Sequence, residues 1–133
     1  MAWKPLAPRT RPHPSYAPYV AFTPTQLVFS SAFLKSVEEI FYLRGTGCDI
    51  YVDIFVDGSR HKIGFKFSLE RTESNLKLHF QKRGWTGYAS IYRLLRDYPF
   101  MKDIVINLDV EKRKFKAKKL DDLWTIDLSE YWR

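Results

Sequence analysis

A run of lysines near the end of the chain has a spacing that suits phosphate binding. Residues 112–119 hold six cationic side chains in eight positions. A strand sends alternate side chains to opposite faces, so a strand here would carry lysines about 6–7 Å apart along one face. This spacing resembles that of phosphates in an extended nucleic-acid strand, although lysines also protect a solvated edge strand from aggregation. The lysines of that face are Lys112, Lys114, Lys116 and Lys118.

Cations at alternating positions in two other β-prone stretches could join this run in one basic surface. Acidic residues concentrate elsewhere, at residues 38–39 and 121–130. Such segregation of charge indicates a binding face, and phosphate neutralisation by it would give salt-dependent affinity with little sequence preference. The further cations are Arg60, Lys62, Lys66, Lys77, Lys82 and Arg83.

Two aromatic residues lie beside these cations in a glycine-containing stretch. Residues 83–88, which contain Trp85 and Tyr88, are predicted to form a loop. Aromatic side chains on such a loop can stack unpaired bases, a contact worth roughly 1–3 kcal/mol per base. The alternative is that both side chains cover the core, since large aromatic residues are buried on average. A basic groove with aromatic platforms would bind single-stranded nucleic acid.

The overall composition favours an anionic partner. Lysine and arginine total 22 against 15 aspartate and glutamate residues, a net charge of +7. This balance favours nucleic acid or an anionic surface. No apolar run approaches the roughly 20 residues needed to cross a bilayer, residues 1–18 lack a secretory pattern, and Cys48 has no second cysteine with which to pair. We therefore expect a soluble, cytoplasmic protein without a cofactor or membrane contact.

These side chains must be positioned by an α+β fold. Helical spacing of apolar residues predicts helices over residues 31–43 and 89–98. Strict alternation predicts a hairpin that turns at Asp57 and Gly58, and further strands near 76–81 and 104–110, the latter paired with the lysine run. The expected architecture is a mainly antiparallel sheet of about five strands with two helices packed on one face.

The chain is expected to contain one domain and an arm. Residues 1–18 hold five of the seven prolines and several cations, which predicts an extended or disordered basic arm. Residues 19–133 form the single domain. An unpaired edge strand in it could join a second copy, so a homodimer is an open alternative.

Two other functions fit part of the sequence. The lysines could dock on an acidic protein surface, with the arm or Tyr131 and Trp132 as further contacts, which describes a regulator or inhibitor without enzymatic activity. A metal-dependent nuclease is a minor alternative, because carboxylates beside lysines can hold Mg²⁺ at a phosphate. Its candidate carboxylates are Asp49, Asp53, Asp57, Asp103, Asp109 and Glu111.

Overall fold

Nine antiparallel strands form one sheet that curves into a nearly closed barrel. The computed structural model describes residues 18–59, 61–82, 84–107 and 113–131. The strand order is β7-β1-β2-β6-β5-β3-β4-β9-β8. The strands are β1 Tyr19–Phe22, β2 Gln26–Phe29, β3 Ile50–Asp57, β4 Lys62–Ser68, β5 Leu76–Phe80, β6 Gly87–Ser90, β7 Lys114–Lys116, β8 Lys118–Leu120 and β9 Leu123–Asp127.

A single segment of the chain closes the barrel. β7 and β8 stand at the two ends of the strand order, yet Ala117 alone separates them in sequence. β7 pairs with β1, placing Lys116 opposite Tyr19. β8 pairs with β9, placing Lys118 opposite Thr125. Residues 114–120, which we call the lysine segment, therefore join β1 to β9 and bring the two ends of the sheet together.

The expected five-stranded sheet with two helices on one face is wrong. The hairpin of β3 and β4 is confirmed, with Asp57 opposite Lys62 at its end. The short strands β1, β2 and β6 pair with one another and extend the sheet on one side. A curved sheet fills its interior with the side chains of all its strands, so the inward residues of these short strands belong to the same core.

Four short helices connect the strands, and they do not form a layer on one face. The predicted helix at 31–43 is interrupted at Val37, whose backbone is extended (φ −86°, ψ 105°). The predicted helix at 89–98 begins later, because residues 87–90 belong to β6. The helices are α1 Ser31–Ser36, α2 Glu38–Gly45, α3 Tyr92–Asp97 and α4 Phe100–Asn107, and a short 3-10 helix, Leu128–Tyr131, follows β9.

The strand expected at 104–110 is also wrong, because residues 104–107 belong to α4. Met101, Ile104 and Val105 are all buried. A strand would send Ile104 and Val105 to opposite faces, whereas a helix places residues 101, 104 and 105 on one face. Residues 108–110 lie outside the described residues. The lysine segment pairs with β1 and β9 instead.

Phenylalanine rings fill the interior of the barrel. Phe33 of α1 is fully buried. Its ring lies 6.0 Å from Phe29, 6.5 Å from Phe65 and 6.1 Å from Phe67, each in an edge-to-face arrangement. The ring of Trp124 is 5.1 Å away. The high aromatic content of the chain thus serves the core, where such pairs add to the stabilisation from burial.

Replacement of Ser30 by alanine is expected to destabilise the protein by about 1–2 kcal/mol. The buried Ser30 hydroxyl oxygen accepts hydrogen bonds from the backbone N–H groups of Phe33 (3.1 Å) and Tyr19 (2.9 Å). It thereby caps α1 and fixes the start of β1. Thermal unfolding followed by circular dichroism measures the effect. The control is Ser36→Ala, which removes an exposed hydroxyl that donates to Ala32; equal losses in the two variants would contradict the capping role.

Candidate nucleic-acid interface

The lysine segment presents its cations outward, as its alternation predicts. Phe115 and Ala117 are only 1% and 6% exposed, and they point into the barrel. Lys116 and Lys118 are exposed, and Lys114 is partly exposed. The pairing differs from the expected one, since Lys114 and Lys116 border β1 while Lys118 borders β9. The outward lysines therefore divide between two sides of the closure.

The three cationic stretches do not form one continuous surface. Lys62 and Lys66 belong to β4, which β9 separates from β8. Lys77 belongs to β5, the central strand of the order, four strand intervals from β7 in one direction and from β8 in the other. It therefore lies about halfway round the barrel from the lysine segment. The strand order distributes the cations around the circumference of the barrel.

Carboxylates balance the cations on the half of the barrel formed by β3, β4, β9 and β8. Lys62 lies between Asp57 and Asp127 on the neighbouring strands, and Lys66 lies opposite Asp53. With Lys118, these outward positions hold three lysines and three aspartates. We call them the charge-balanced half: Asp53, Asp57, Lys62, Lys66, Lys118 and Asp127.

The pKa of the Asp127 carboxyl reflects the charges around it on this half of the barrel. A hydrogen bond from the Ser129 hydroxyl lowers the pKa of the Asp127 carboxyl, and the Ser129 backbone N–H, Lys62 and Lys118 lower it further. The two lysines therefore face a carboxylate that is ionised at neutral pH. A polyanion would have to compete with this carboxylate for both cations.

The other five strands form a surface without carboxylates. Within the fully described strands β7, β1, β2, β6 and β5 there is no aspartate or glutamate. Their inward positions are buried, as in Val20, Phe29 and Ala89. Their outward positions alternate with these and carry lysine, tyrosine, histidine and small or neutral residues. We call these outward positions the acid-free face: Tyr19, Ala21, Gln26, Val28, Lys77, His79, Tyr88, Ser90, Lys114 and Lys116.

The strand registers align five residues of the acid-free face in a row across the strands. Lys114 lies opposite Ala21, which lies opposite Val28. Val28 lies opposite Tyr88, which in turn lies opposite His79. The row thus begins with a cation, crosses a floor of small side chains and ends at two aromatic rings.

Aromatic rings stand at both sides of this floor. The rings of His79 and Tyr88 are stacked, with centroids 5.5 Å apart and an interplanar angle of 19°. On the other side, the Lys114 Nζ lies 5.3 Å from the centroid of the Tyr19 ring. Tyr88 belongs to β6 and not to the predicted loop. Sequence reasoning missed Tyr19 as a site residue, although its alternation with buried Val20 and Phe22 marks it as outward.

Trp85 is packed against the core and does not stand free in its loop. The Arg44 guanidinium carbon lies 4.4 Å from the Trp85 ring centroid and 4.4 Å from that of Phe80. Arg44 also donates a hydrogen bond of 2.9 Å to the carbonyl oxygen of Gly84. The Arg44 cation covers part of the indole, as the Lys114 Nζ covers part of the Tyr19 ring, and the Trp85 ring also packs against the core. Lys82, in the same loop, is exposed.

The remaining predicted contacts lie outside the residues that the structure describes. Arg60, Arg83 and Lys112 lie outside the described residues, as do residues 1–17 and Trp132. The carboxylates Asp109 and Glu111 of the nuclease alternative lie there too.

Within the described ranges, no group of three histidine, cysteine, aspartate or glutamate residues is placed to hold a metal ion. Asp49 lies 3.5 Å from the Lys77 Nζ. In the same ranges, no helix has the length and apolar character needed to span a membrane.

Comparison of the chain with protein-family models, curated proteins and solved structures finds no match.

Proposed function

We propose that the protein binds single-stranded nucleic acid without enzymatic activity and with little sequence preference, and that the acid-free face is its binding surface. One observation carries this proposal. Five adjoining strands present lysine, tyrosine, histidine and small residues with no carboxylate within them, whereas Lys62 and Lys66 of the charge-balanced half lie opposite aspartates. The segregation of charge between the two halves supports a polyanionic partner on one of them.

Each group on the face has a chemical role in this proposal. Lys114 and Lys116 at one border and Lys77 at the other neutralise phosphates, which supplies affinity that depends on salt. Tyr19 and Tyr88 stack on bases, a contact that requires the bases to be unpaired. The small Ala21 and Val28 side chains leave room for the bases to approach the sheet. A duplex would keep its bases out of reach of these rings, so a single strand fits better.

The test compares two double variants that remove equal charge. Lys114→Ala with Lys116→Ala removes two cations from the acid-free face, and Lys62→Ala with Lys66→Ala removes two from the charge-balanced half. Fluorescence polarisation with a labelled single-stranded oligonucleotide, at several salt concentrations, measures both. We expect the first variant to lose about tenfold in affinity and its logarithmic salt slope to fall by about 1.4, since each phosphate contact on a single strand contributes about 0.7. The second should change less than twofold.

Two outcomes would contradict the proposal. Equal losses in the two double variants would show that net charge alone attracts the oligonucleotide, with no dedicated face. Absence of binding by the unaltered protein at low salt would favour the alternative of a module that docks an acidic protein surface.

A further inference from the structure

We propose that a single strand crosses the acid-free face obliquely, from β7 to β5, and that the face accommodates about four nucleotides, with one base on Tyr19 and one on Tyr88. This inference rests on the proposed function and specifies the ligand by length and direction.

The distribution of cations on the face sets the direction. The three central strands, β1, β2 and β6, carry no lysine or arginine at all among their described residues. Cations stand only at the borders, with Lys114 and Lys116 on β7 and Lys77 on β5. A strand that crosses from β7 to β5 meets phosphate partners at both borders and aromatic rings between them.

A nucleic-acid strand that followed the lysine segment would make fewer contacts on the acid-free face than one that crossed it. After Lys116 the chain passes to β8, where Lys118 borders β9 and not β1. Lys118 there faces the Asp127 carboxylate of the charge-balanced half. A polyanion that followed the segment would therefore meet two lysines on the acid-free face and then a carboxylate. The crossing path also meets a carboxylate, since Asp49 lies 3.5 Å from the Lys77 Nζ, but it offers three lysines and the rings of Tyr19 and Tyr88.

The width of the face sets the length. Four strand intervals separate β7 from β5, and at about 4.8 Å per interval they span about 19 Å. This is a short path, which places the site near the lower end of the range of about 4–16 nucleotides for small β-sheet domains that bind single strands. Tyr19 on β1 and Tyr88 on β6 are two intervals apart across the sheet and are offset by two residues along the strands, which together give about 12 Å. That separation allows each ring to stack on a different base.

The uncharged side chains beside Tyr88 fit bases better than phosphates. Gln26 and Ser90 lie opposite one another on β2 and β6. Their amide and hydroxyl groups can each donate or accept a hydrogen bond at a base edge. Such groups accept any base in some orientation, in agreement with the weak sequence preference proposed for the face.

A length series of labelled oligothymidylates from two to twelve nucleotides tests the inference. We expect affinity to rise steeply up to about four nucleotides and to rise little beyond that length. Tyr19→Leu and Tyr88→Leu should each weaken binding of the tetranucleotide by about 5- to 100-fold. Tyr42→Leu, at a tyrosine of α2 that is 75% exposed and outside the acid-free face, is the matched control and should leave affinity unchanged. Lys77→Ala should weaken the tetranucleotide about threefold although Lys77 is remote from β7.

The outcomes separate this inference from the proposed function. Failure of every length to bind would remove the function itself. Binding that continues to strengthen evenly to twelve nucleotides, or a Lys77→Ala variant that binds normally while the Lys114→Ala and Lys116→Ala variant does not, would leave the function standing and overturn the crossing path. Equal losses in the Tyr42→Leu and Tyr88→Leu variants would overturn the assignment of the stacking rings.

Discussion

Replacement of Phe33 by alanine is expected to lower the free energy of unfolding by about 3–5 kcal/mol. Phe33 is 0% exposed, and it joins α1 to rings on three different strands: Phe29, Phe65 and Trp124. Its loss removes buried apolar surface and leaves a cavity that several rigid rings cannot fill together. A domain of this size has a total stability of about 5–15 kcal/mol, so the variant should be close to unfolding at 37 °C.

Urea unfolding followed by tryptophan fluorescence measures this loss. The control is Tyr42→Ala in α2, which removes an aromatic side chain that is 75% exposed and should change stability by less than about 0.5 kcal/mol. Similar midpoints for the two variants would show that Phe33 does not organise the core.

Replacement of Phe115 by alanine is expected to cost a similar 3–5 kcal/mol, and to affect function as well. The buried Phe115 ring lies 5.4 Å from that of Phe22 in an edge-to-face arrangement. It is the side chain that holds β7 to the core, while Lys114 and Lys116 on either side point outward. Loosening of β7 would also misplace both lysines, so oligonucleotide affinity should fall even at temperatures at which the variant remains folded.

The matched control for this prediction is Phe55→Ala on β3. Phe55 is 50% exposed, and its removal should cost less than about 1 kcal/mol and leave affinity unchanged. Circular dichroism melting and the polarisation assay at 10 °C together separate the two effects. A Phe115→Ala variant that is destabilised as expected but binds normally while folded at 10 °C would contradict the view that packing of this ring positions the lysines.

Local patterns predicted the parts of the fold that depend on neighbouring residues. The alternation in residues 50–56 and 63–67 fixes the β3–β4 hairpin, because both strands bury one parity and a short turn connects them. The same logic predicted that Phe115 faces inward and its lysine neighbours outward. These features follow from the period of the side chains and need no knowledge of distant strands.

Strand partners could not be predicted in this way. The apolar residues 104–106 fit a strand or one face of a helix equally well, and burial of Met101 beside Ile104 decides for the helix. The pairing of the lysine segment with β1 connects distant parts of the sequence, and no local pattern records it. Strand order decides which cations share a surface. The individual basic residues could therefore be named from the sequence, but which of them lie side by side could not be predicted.

Closure of the barrel by one segment has a consequence for the order of folding. Residues near both ends of the described chain must meet before β1 obtains its second neighbour, since Tyr19 pairs with Lys116. During synthesis, β1 would keep one edge unpaired until residues 114–116 have emerged. Proteins dominated by such distant pairings fold in about milliseconds to seconds. Lys114 and Lys116 then have a second role. Their hydration and mutual repulsion disfavour pairing of β7 with another chain before β7 has paired with β1.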